Sequence, residues 1–431
     1  MPEELLYLTH RVPYPPNKGD KIRSFHLLKH LSQRYRVHLG TFVDDRGDWQ
    51  YVDTVRSFCG ENHFAKLNPS AMRLRSLSGP LSGQPLTLPY YRNAGLQHWV
   101  NNLLATRPVK RILVFSSAMA QYVMHAHGAR RIIDFVDIDS DKWCQYAGSK
   151  RWPLSWIYRR EGRLLLRYER EVAKAFDASL FVSRTEAELF QRLAPESAAK
   201  TGYFSNGVDT DYFSPDREYP NPYGEREHAL VFTGAMDYWP NVDAVRWFAQ
   251  EIFPEVHAAD PHARFYIVGS HPIAAVRELA QLAGIVVTGG VPDIRPYLAH
   301  GRLAVAPLRI ARGLQNKVLE AMAMARAVVA SPQAAEGIQA RKGEELHVAR
   351  NAQEFGQMIL TLLAEDARAR TAGAAARDRV LADYDWDRSL AQVEAWLAEV
   401  PVATPQPGGP DKENWISHEI NRSINLGEER L

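Results

Sequence analysis

Residues 303–330 constrain the fold more than any other stretch of this sequence. A short apolar run, Leu303–Pro307, ends in a basic loop that contains a glycine. A helix-forming segment follows, and the apolar run Ala327–Ala330 comes directly after it. A strand, a loop, a helix and a second strand in this order predict a right-handed βαβ unit, whose two strands belong to one parallel sheet.

The same alternation runs through both halves of the chain. In the first half, Leu5–Thr9 and Val37–Val43 are predicted strands with a helix at Lys21–Gln33 between them. Further strands are predicted in the first half at Ile112–Phe115, Ile132–Val136 and Ser179–Val182, and in the second half at Leu230–Thr233, Phe265–Val268, Val286–Thr288, Leu303–Ala306 and Val328–Ala330. We therefore expect an α/β protein with two doubly wound, Rossmann-like domains.

A dense group of turn residues separates the two series. Residues 205–228 contain an Asn-Gly pair, three prolines and a further glycine, which is typical of a domain boundary. We predict a first domain at 1–205, a linker at 206–228, a second domain at 229–385 and a last helix at 386–400. Residues 401–431 have the composition of a linker and predict a flexible tail.

Bulk properties exclude several classes of protein. A length of 431 residues favours two domains. The net charge of +2 offers no overall attraction to nucleic acid, so we expect no nucleic-acid partner. The two cysteines, Cys59 and Cys144, predict neither a disulfide framework nor a zinc site, and the N-terminus lacks the apolar length of a signal peptide. These features predict a cytoplasmic protein.

The loop before the helix in residues 303–330 has the chemistry of an anion site. Helix N-termini bind phosphate because their first N–H groups lack partners and the helix dipole adds positive charge. Arg309, Arg312 and Lys317 place cations there, and Glu320 follows about one turn after Lys317. A diphosphate beside a carboxylate that can bind a ribose diol indicates a nucleotide-sugar site. The alternative for Glu320 is an acid on the solvent face of an amphipathic helix.

Several motifs, taken together, resemble a known family. They are PYPPNKGDKIRS at 13–24, SNGVDTDYFSP at 205–215, FTGAMDYWPNVDAVRWF at 232–248, FYIVGSHP at 265–272, VTGGVPDIRPYL at 287–298 and GLQNKVLEAMAMARAVVAS at 313–331. The set resembles the retaining GT-B glycosyltransferases of family 4, and is most similar to those associated with PEP-CTERM/exosortase systems. The resemblance implies two domains facing across a cleft, with the donor on the second domain, the acceptor on the first, and a C-terminal helix that crosses back.

The resemblance also assigns donor-binding roles within the second domain. It implies that Glu320 binds the nucleotide ribose and that Lys317 meets the diphosphate, with the arginine at 309 beside them. The backbone that would meet the diphosphate with Lys317 belongs to Gly313, Leu314, Gln315 and Asn316, and Gly234 completes the donor set.

The chain departs from the family pattern at two places. Arg312 stands where many members have an acid that contacts the donor sugar, so it is predicted to add a phosphate contact instead. Residues 234–241, GAMDYWPN, replace a Gly-Arg and Lys pair of cations. There, Tyr238 and Trp239 could stack on a base or sugar or pack over the helix that follows, and Asn241 could be a helix cap.

Two loops of the first domain are candidates for the same cleft. Gly19, Lys21 and Arg23 follow the first strand, and the resemblance places this loop near the donor phosphate and the acceptor. The alternative is an ordinary strand-to-helix turn. Asp137 and Asp139 follow the Ile132–Val136 strand and are predicted to touch the acceptor hydroxyl. A metal site at these aspartates is the weaker alternative, since GT-B enzymes neutralise the leaving diphosphate with cations and a helix end; a helix cap at Asp139 or Ser140 is another.

A basic stripe lies on the predicted helix at Ile157–Phe176. Its members, spaced by four, four and three residues, are Arg159, Arg163, Arg167 and Arg170. With Trp152 and Trp156 just before it, the stripe has the composition of a contact with an anionic membrane surface. The alternative is a solvated helix face paired with Glu161, Glu169 and Glu171.

The sequence as a whole predicts a metal-independent glycosyltransferase without a cofactor, and the resemblance implies that it is a retaining enzyme. It would move a sugar from a nucleoside-diphosphate sugar to a glycan or lipid-linked acceptor in exopolysaccharide or other cell-surface polysaccharide biosynthesis. The alternatives are a nucleotide-sugar 2-epimerase and a non-catalytic nucleotide-sugar-binding subunit of a polysaccharide assembly.

Overall fold

A computed structural model of the chain describes residues 2–16, 19–68, 83–148, 151–311 and 313–398. The predicted tail at 401–431 and Arg312 lie outside the described residues. No helix in the described ranges is long and apolar enough to cross a membrane.

The first domain is built on a seven-stranded parallel sheet. Its strands are β1 (Glu3–Thr9), β2 (Tyr35–Val43), β3 (Asn62–Lys66), β4 (Val109–Phe115), β5 (Arg130–Val136), β6 (Ala178–Phe181) and β7 (Thr201–Tyr203). Their spatial order is β3-β2-β1-β4-β5-β6-β7. The order reverses direction between β1 and β4, and at such a point open α/β sheets bind ligands at the carboxyl ends of the strands.

Seven helices in the described part of the first domain accompany this sheet. They are α1 (Gly19–Leu31), α2 (Val52–Arg56), α3 (Thr87–Tyr90), α4 (Ala94–Thr106), α5 (Asp139–Gly148), α6 (Leu154–Ala175) and α7 (Arg184–Leu193), with 3₁₀ turns at Arg46–Tyr51, Ser117–Tyr122 and Pro195–Lys200. Helices α5 and α6 pack closely together, and Gly162 allows it because a Cβ there would collide with the Cys144 Sγ.

The second domain is built on a six-stranded parallel sheet. Its strands are β8 (His228–Thr233), β9 (Ala263–Val268), β10 (Ile285–Gly289), β11 (Leu303–Ala306), β12 (Val328–Ala330) and β13 (His347–Val348), in the order β10-β9-β8-β11-β12-β13. Its helices are α8 (Trp239–Trp247), α9 (Phe253–Ala259), α10 (Ala274–Arg277), α11 (Arg295–His300), α12 (Asn316–Ala323), α13 (Pro332–Ala335), α14 (Ala352–Ala364) and α15 (Asp366–Asp383), with a π-helical turn at Phe248–Ile252 and a 3₁₀ turn at Glu278–Gln281.

The last described helix, α16 (Trp386–Leu397), returns to the first domain. Its apolar face, which includes Leu390 and Val393, joins the core beneath β1 and β2. Its C-terminal carbonyls are bonded by first-domain arginines: Arg111 Nε donates to Leu397 O at 3.1 Å and Arg130 Nε donates to Trp396 O at 2.8 Å. The predicted crossover helix is therefore confirmed, and so is the two-sheet α/β fold.

Candidate functional site

The second domain places a half-buried lysine at the carboxyl ends of its central strands. Lys317 lies in the first turn of α12, and its Nζ donates a 2.6 Å hydrogen bond to Asn241 Oδ1 on α8. The same Nζ lies 4.2 Å from the centre of the Phe232 ring, at the end of β8. Gly234 makes room for this arrangement, because a Cβ there would come within 3.1 Å of the ammonium. A cation is thus fixed at a helix N-terminus, where an anion binds most readily.

Glu320 lies one turn further along α12 and is half-buried beside Lys317. Burial raises the pKa of Glu320 to about 7, against the opposing effect of the Lys317 charge. Burial likewise lowers the pKa of Lys317 to about 7, with Glu320 opposing the shift. Burial makes both groups costly to charge, so both gain from a ligand that offers a phosphate to Lys317 and a hydroxyl pair to Glu320. The alternative of an acid on a solvated face does not fit this burial.

The loop before α12 touches the first domain. Gly313 has a φ of +61°, and a Cβ there would overlap Asp137 Oδ1 and lie 2.9 Å from Val182 Cγ1. Asn206 Nδ2 donates to Asn316 Oδ1 at 3.0 Å. Gly19 also lies near Asn316, since a Cβ on Gly19 would be 3.8 Å from Asn316 Nδ2. Leu314 is buried in the core of the second domain. The predicted donor loop therefore lies where the two domains meet, and we call this contact the floor of the cleft that the resemblance implies.

Asp137 and Asp139 are held together by a lysine. Lys142 Nζ lies 2.8 Å from Asp137 Oδ2 and 3.4 Å from Asp139 Oδ1, and these two carboxylates raise the pKa of Lys142 despite its burial. The other oxygen, Asp137 Oδ1, is buried and has no hydrogen-bond partner among the described residues. No group of three or more His, Cys, Asp or Glu side chains in the described chain could hold a metal ion. The pair is an ion cluster, and its one unpaired acceptor among the described residues lies against Gly313 of the second domain.

Three buried carboxylates fix the loop that carries Asp137. Asp134 Oδ1 accepts from the N–H of Val136, whose φ of +70° is unusual for a β-branched residue. Glu186 Oε2 accepts from Ile138 N at 3.1 Å. Glu169 accepts from the N–H and hydroxyl of Ser140 at 3.2 and 2.5 Å, and burial, with Asp139 nearby, raises the pKa of Glu169 to about 8. A strained loop held this firmly is typical of a functional site.

The predictions for Lys21 and Arg23 as donor ligands are wrong. Arg23 is 0% exposed, pairs with Asp134 at 2.7 Å and lies over the Phe204 ring. Lys21 is also buried and pairs with Asp48 at 2.6 Å. Both side chains point into the first domain because they come from the inner face of α1, so they stabilise the fold instead of reaching a ligand. Gly19 alone of the three lies at the cleft.

Arg309 is not part of the Lys317 cluster. Its guanidinium pairs with Asp243 at 2.5 and 2.9 Å and lies over the Trp247 ring. Asp243 and Asn241 are two residues apart on α8 and therefore face different sides of that helix. The prediction that Arg309 neutralises the diphosphate disagrees with this pairing. Arg312, the other predicted cation, lies outside the described residues.

The contacts of Tyr238, Trp239 and Asn241 differ from those predicted from the sequence. Tyr238 occupies the N-cap position of α8, so Asn241 is not the cap; instead it binds Lys317 and donates to Ala235 O at 2.9 Å. Tyr238 and Trp239 do not fold back over their own helix. Trp239 meets the Tyr146 ring of α5 at 6.3 Å, and Tyr238 shares a side-chain hydrogen bond with Tyr146.

Helix α6 exposes one continuous line of side chains. Trp152 and Trp156 are 82% and 56% exposed, and the four arginines of the basic stripe, which follow at helical spacing, are exposed as well. Arg160 lies outside the stripe and is partly covered. Two carboxylates expected to pair with the stripe accept other hydrogen bonds instead. Glu161 accepts from the Leu86 and Thr87 amides, and Glu169 accepts from the Ser140 hydroxyl. Arg170 pairs with Glu196 instead, at 2.8 Å.

Sequence reasoning missed Lys142, Asn241 and Glu169. Lys142 follows Asp137 by five residues, so the alternation of charges in DIDSDK could have suggested the pairing. Asn241 and Glu169 gave no such signal, since their partners are 76 and 29 residues away.

Comparisons with known proteins agree with this architecture. Residues 227–365 match the sequence family described as glycosyl transferases group 1. No curated protein sequence matches the chain at a significant level. Similar solved structures include sucrose-phosphate synthase from Thermosynechococcus elongatus, with 16% identity, a TM-score of 0.68, and coverage of 93% of this chain and 100% of that one.

Two further structures have the same fold. HepE from Anabaena, in complex with UDP and glucose, is 14% identical with a TM-score of 0.63, covering 92% of this chain and 99% of HepE. WaaG, a glycosyltransferase involved in lipopolysaccharide biosynthesis, is 14% identical with a TM-score of 0.65, covering 92% and 100%. At these identities the likeness shows the shared GT-B fold. With the match over the second domain, it supports a transferase.

Proposed function

We propose that the chain is a retaining glycosyltransferase that moves a sugar from a nucleoside-diphosphate sugar to a glycan or lipid-linked acceptor. The observation that carries the proposal is the half-buried Lys317–Glu320 pair at the N-terminus of α12, facing the cleft. Lys317 would hold the diphosphate and Glu320 the ribose. The UDP complexes of HepE support a nucleoside diphosphate as the ligand class.

The chemistry rests on position and charge. As the bond to the sugar breaks, negative charge grows on the diphosphate, next to Lys317 and the free N–H groups of the first turn of α12. The acceptor hydroxyl would donate to Asp137 Oδ1, which belongs to the first domain and lies against Gly313. In retention of this kind, the donor phosphate oxygen can take the acceptor proton, so no side-chain base is needed.

Metal independence is part of the proposal. The Asp137 and Asp139 carboxylates already share the Lys142 ammonium, which halves the negative charge that they offer to a divalent cation. A lysine and a helix end supply the positive charge that a metal would otherwise supply.

We also propose that the protein lies at an anionic membrane surface and acts in exopolysaccharide or other cell-surface polysaccharide synthesis. The exposed line on α6 supports this, since it joins two exposed tryptophans to the basic stripe. Along it, Arg163, Arg167, Arg170 and Lys174 border a shallow surface groove with only two acids, Glu171 and Glu196. The likeness of the fold to WaaG is consistent with such a role.

Two other functions fit the same ligand class. A nucleotide-sugar 2-epimerase would need carboxylates around the sugar, and the pairing of Asp137 and Asp139 with Lys142 disfavours it. A non-catalytic binding subunit is favoured by Arg312 and by residues 234–241, which replace the Gly-Arg and Lys cations that the resemblance leads us to expect.

Incubation with labelled nucleotide sugars and a membrane extract separates the three functions. The transferase releases a free nucleoside diphosphate and labels an acceptor, the epimerase forms a new nucleotide sugar, and the binding subunit changes nothing. Lys317→Met is the matched control, because it should abolish release without removing any first-domain group. Release that persists in this variant would contradict the assignment of the site.

A further inference from the structure

A row of aromatic side chains leaves the cleft along the first domain. Trp239 of the second domain meets Tyr146 of α5 at 6.3 Å, Tyr146 meets Trp143 at 6.5 Å, and Trp143 meets Tyr158 of α6 at 5.0 Å. All three contacts are edge-to-face, so part of each ring face is left uncovered by its neighbour. We call Trp239, Tyr146, Trp143 and Tyr158, with Tyr238 beside them, the aromatic row.

The aromatic row is partly open to solvent. Tyr238 and Trp239 are 54% and 37% exposed, while Trp143, Tyr146 and Tyr158 are half-buried. Every member is Tyr or Trp, so each ring carries an O–H or N–H group beside an apolar face. An aliphatic chain would be better matched by leucine, isoleucine and phenylalanine. Apolar faces that alternate with hydrogen-bonding groups instead suit a saccharide, whose rings have C–H faces and hydroxyl edges.

The cleft end of the aromatic row meets the reacting groups. Tyr238 lies close enough to Lys142 and Asp137 for both charges to influence its hydroxyl. Asp137 Oδ1 has no hydrogen-bond partner among the described residues, although it is buried. A buried acceptor without a donor is costly, and a ligand hydroxyl at the end of the row would supply the missing hydrogen bond.

We propose that the aromatic row binds an acceptor oligosaccharide of several sugar units, with its terminal hydroxyl at Asp137 and its other units along Trp239, Tyr146 and Trp143. This rests on the proposed function and adds the class of acceptor, since a single sugar or a bare lipid phosphate would leave most of the row unused. Ring-to-ring steps of 5.0–6.5 Å are comparable with the length of one hexopyranose unit in a chain.

The test uses the full chain, in which 5-fluorotryptophan replaces all ten tryptophans. The ¹⁹F NMR signals of the labelled residues are followed during titration. Signals are assigned with Trp143→Leu, Trp239→Ala and Trp152→Ala. The protein is titrated with malto-oligosaccharides and N-acetylchito-oligosaccharides of one to five units, without vesicles. Trp143 and Trp239 should shift together, with affinity rising with length. Trp239→Ala and Tyr238→Ala should each weaken binding about 2- to 10-fold, as expected for the loss of one ring contact.

Trp152→Ala is the matched control because Trp152 is exposed and outside the row. It should leave oligosaccharide binding unchanged. No shift with any oligosaccharide would overturn the proposal, and so would shifts of Trp143 and Trp239 with farnesyl phosphate alone. A parallel titration with UDP reports on the donor site by itself: absence of UDP binding would refute the proposed function, whereas absence of oligosaccharide binding with normal UDP binding would refute this inference only.

Discussion

Gly313→Ala should separate the two domains at the floor of the cleft. Gly313 has a φ of +61°, and the added Cβ would overlap Asp137 Oδ1 and approach Val182 Cγ1 to 2.9 Å. The left-handed backbone costs about 1–2 kcal/mol for a non-glycine residue. Forcing extra atoms into a packed contact adds about 1–3 kcal/mol. The second cost can be relieved only if Asp137 moves or the domains part.

Gly343→Ala is the matched control for the backbone cost. Gly343 also has a positive φ, +86°, but a Cβ there meets nothing within 4 Å. In urea unfolding Gly343→Ala should therefore lose only the backbone cost of about 1–2 kcal/mol, and Gly313→Ala should lose the packing cost of about 1–3 kcal/mol in addition. Release of nucleoside diphosphate should differ between them, because only Gly313→Ala disturbs the Asp137 contact. A difference of 1–3 kcal/mol corresponds to a roughly 5- to 150-fold lower kcat/KM for Gly313→Ala.

Small-angle X-ray scattering gives an independent measure of the same change. Domain parting should raise the radius of gyration of Gly313→Ala and leave that of Gly343→Ala at the wild-type value. Equal kcat/KM for the two variants, with equal radii, would refute the argument that the Gly313–Asp137 contact sets the geometry of the cleft.

Further predictions concern the donor site and the membrane surface. Glu320→Ala should weaken nucleotide binding by about 1.5–3 kcal/mol in calorimetry, since a charge-assisted hydrogen bond to ribose is lost; unchanged affinity would remove Glu320 from the site. Nucleotide binding at pH 8 should take up a proton, because Lys317, with a pKa of about 7, is then mostly neutral and a bound phosphate raises that pKa. Nucleotide affinity should therefore fall from pH 7 to 9. Calorimetry in buffers of different ionisation enthalpy measures the proton uptake, which Lys317→Met should abolish. Turnover should survive excess EDTA, and loss of turnover that Mg²⁺ restores would require a metal at Asp137 and Asp139. Replacement of the four arginines of the basic stripe by glutamine should reduce co-sedimentation with anionic vesicles, each arginine contributing about 1 kcal/mol at low salt; equal sedimentation of this variant and the wild-type protein would leave the stripe as a solvated helix face.

The sequence by itself determined the elements with strong local signals. The central strands of both sheets are almost entirely buried, as at Ile132–Val136 and Phe265–Val268, and therefore appear as short apolar runs that an analysis of periodicity detects. The edge strands β3, β7 and β13 were not predicted, because they are short and half-covered, and they become strands only when a neighbour supplies hydrogen bonds.

The tertiary structure decided which charged side chains face the cleft. In the sequence, Lys21 and Arg23 look as suitable for phosphate as Lys317, because each follows a glycine in a strand-to-helix loop. In the folded chain, Arg23 is buried against Asp134, which is 111 residues away, whereas Lys317 meets Asn241, 76 residues away, at the cleft. The direction of a side chain depends on the face of its helix and on partners distant in sequence, and local sequence contains neither. For the same reason the aromatic row, whose members come from three helices, could not be recognised before the helices were packed.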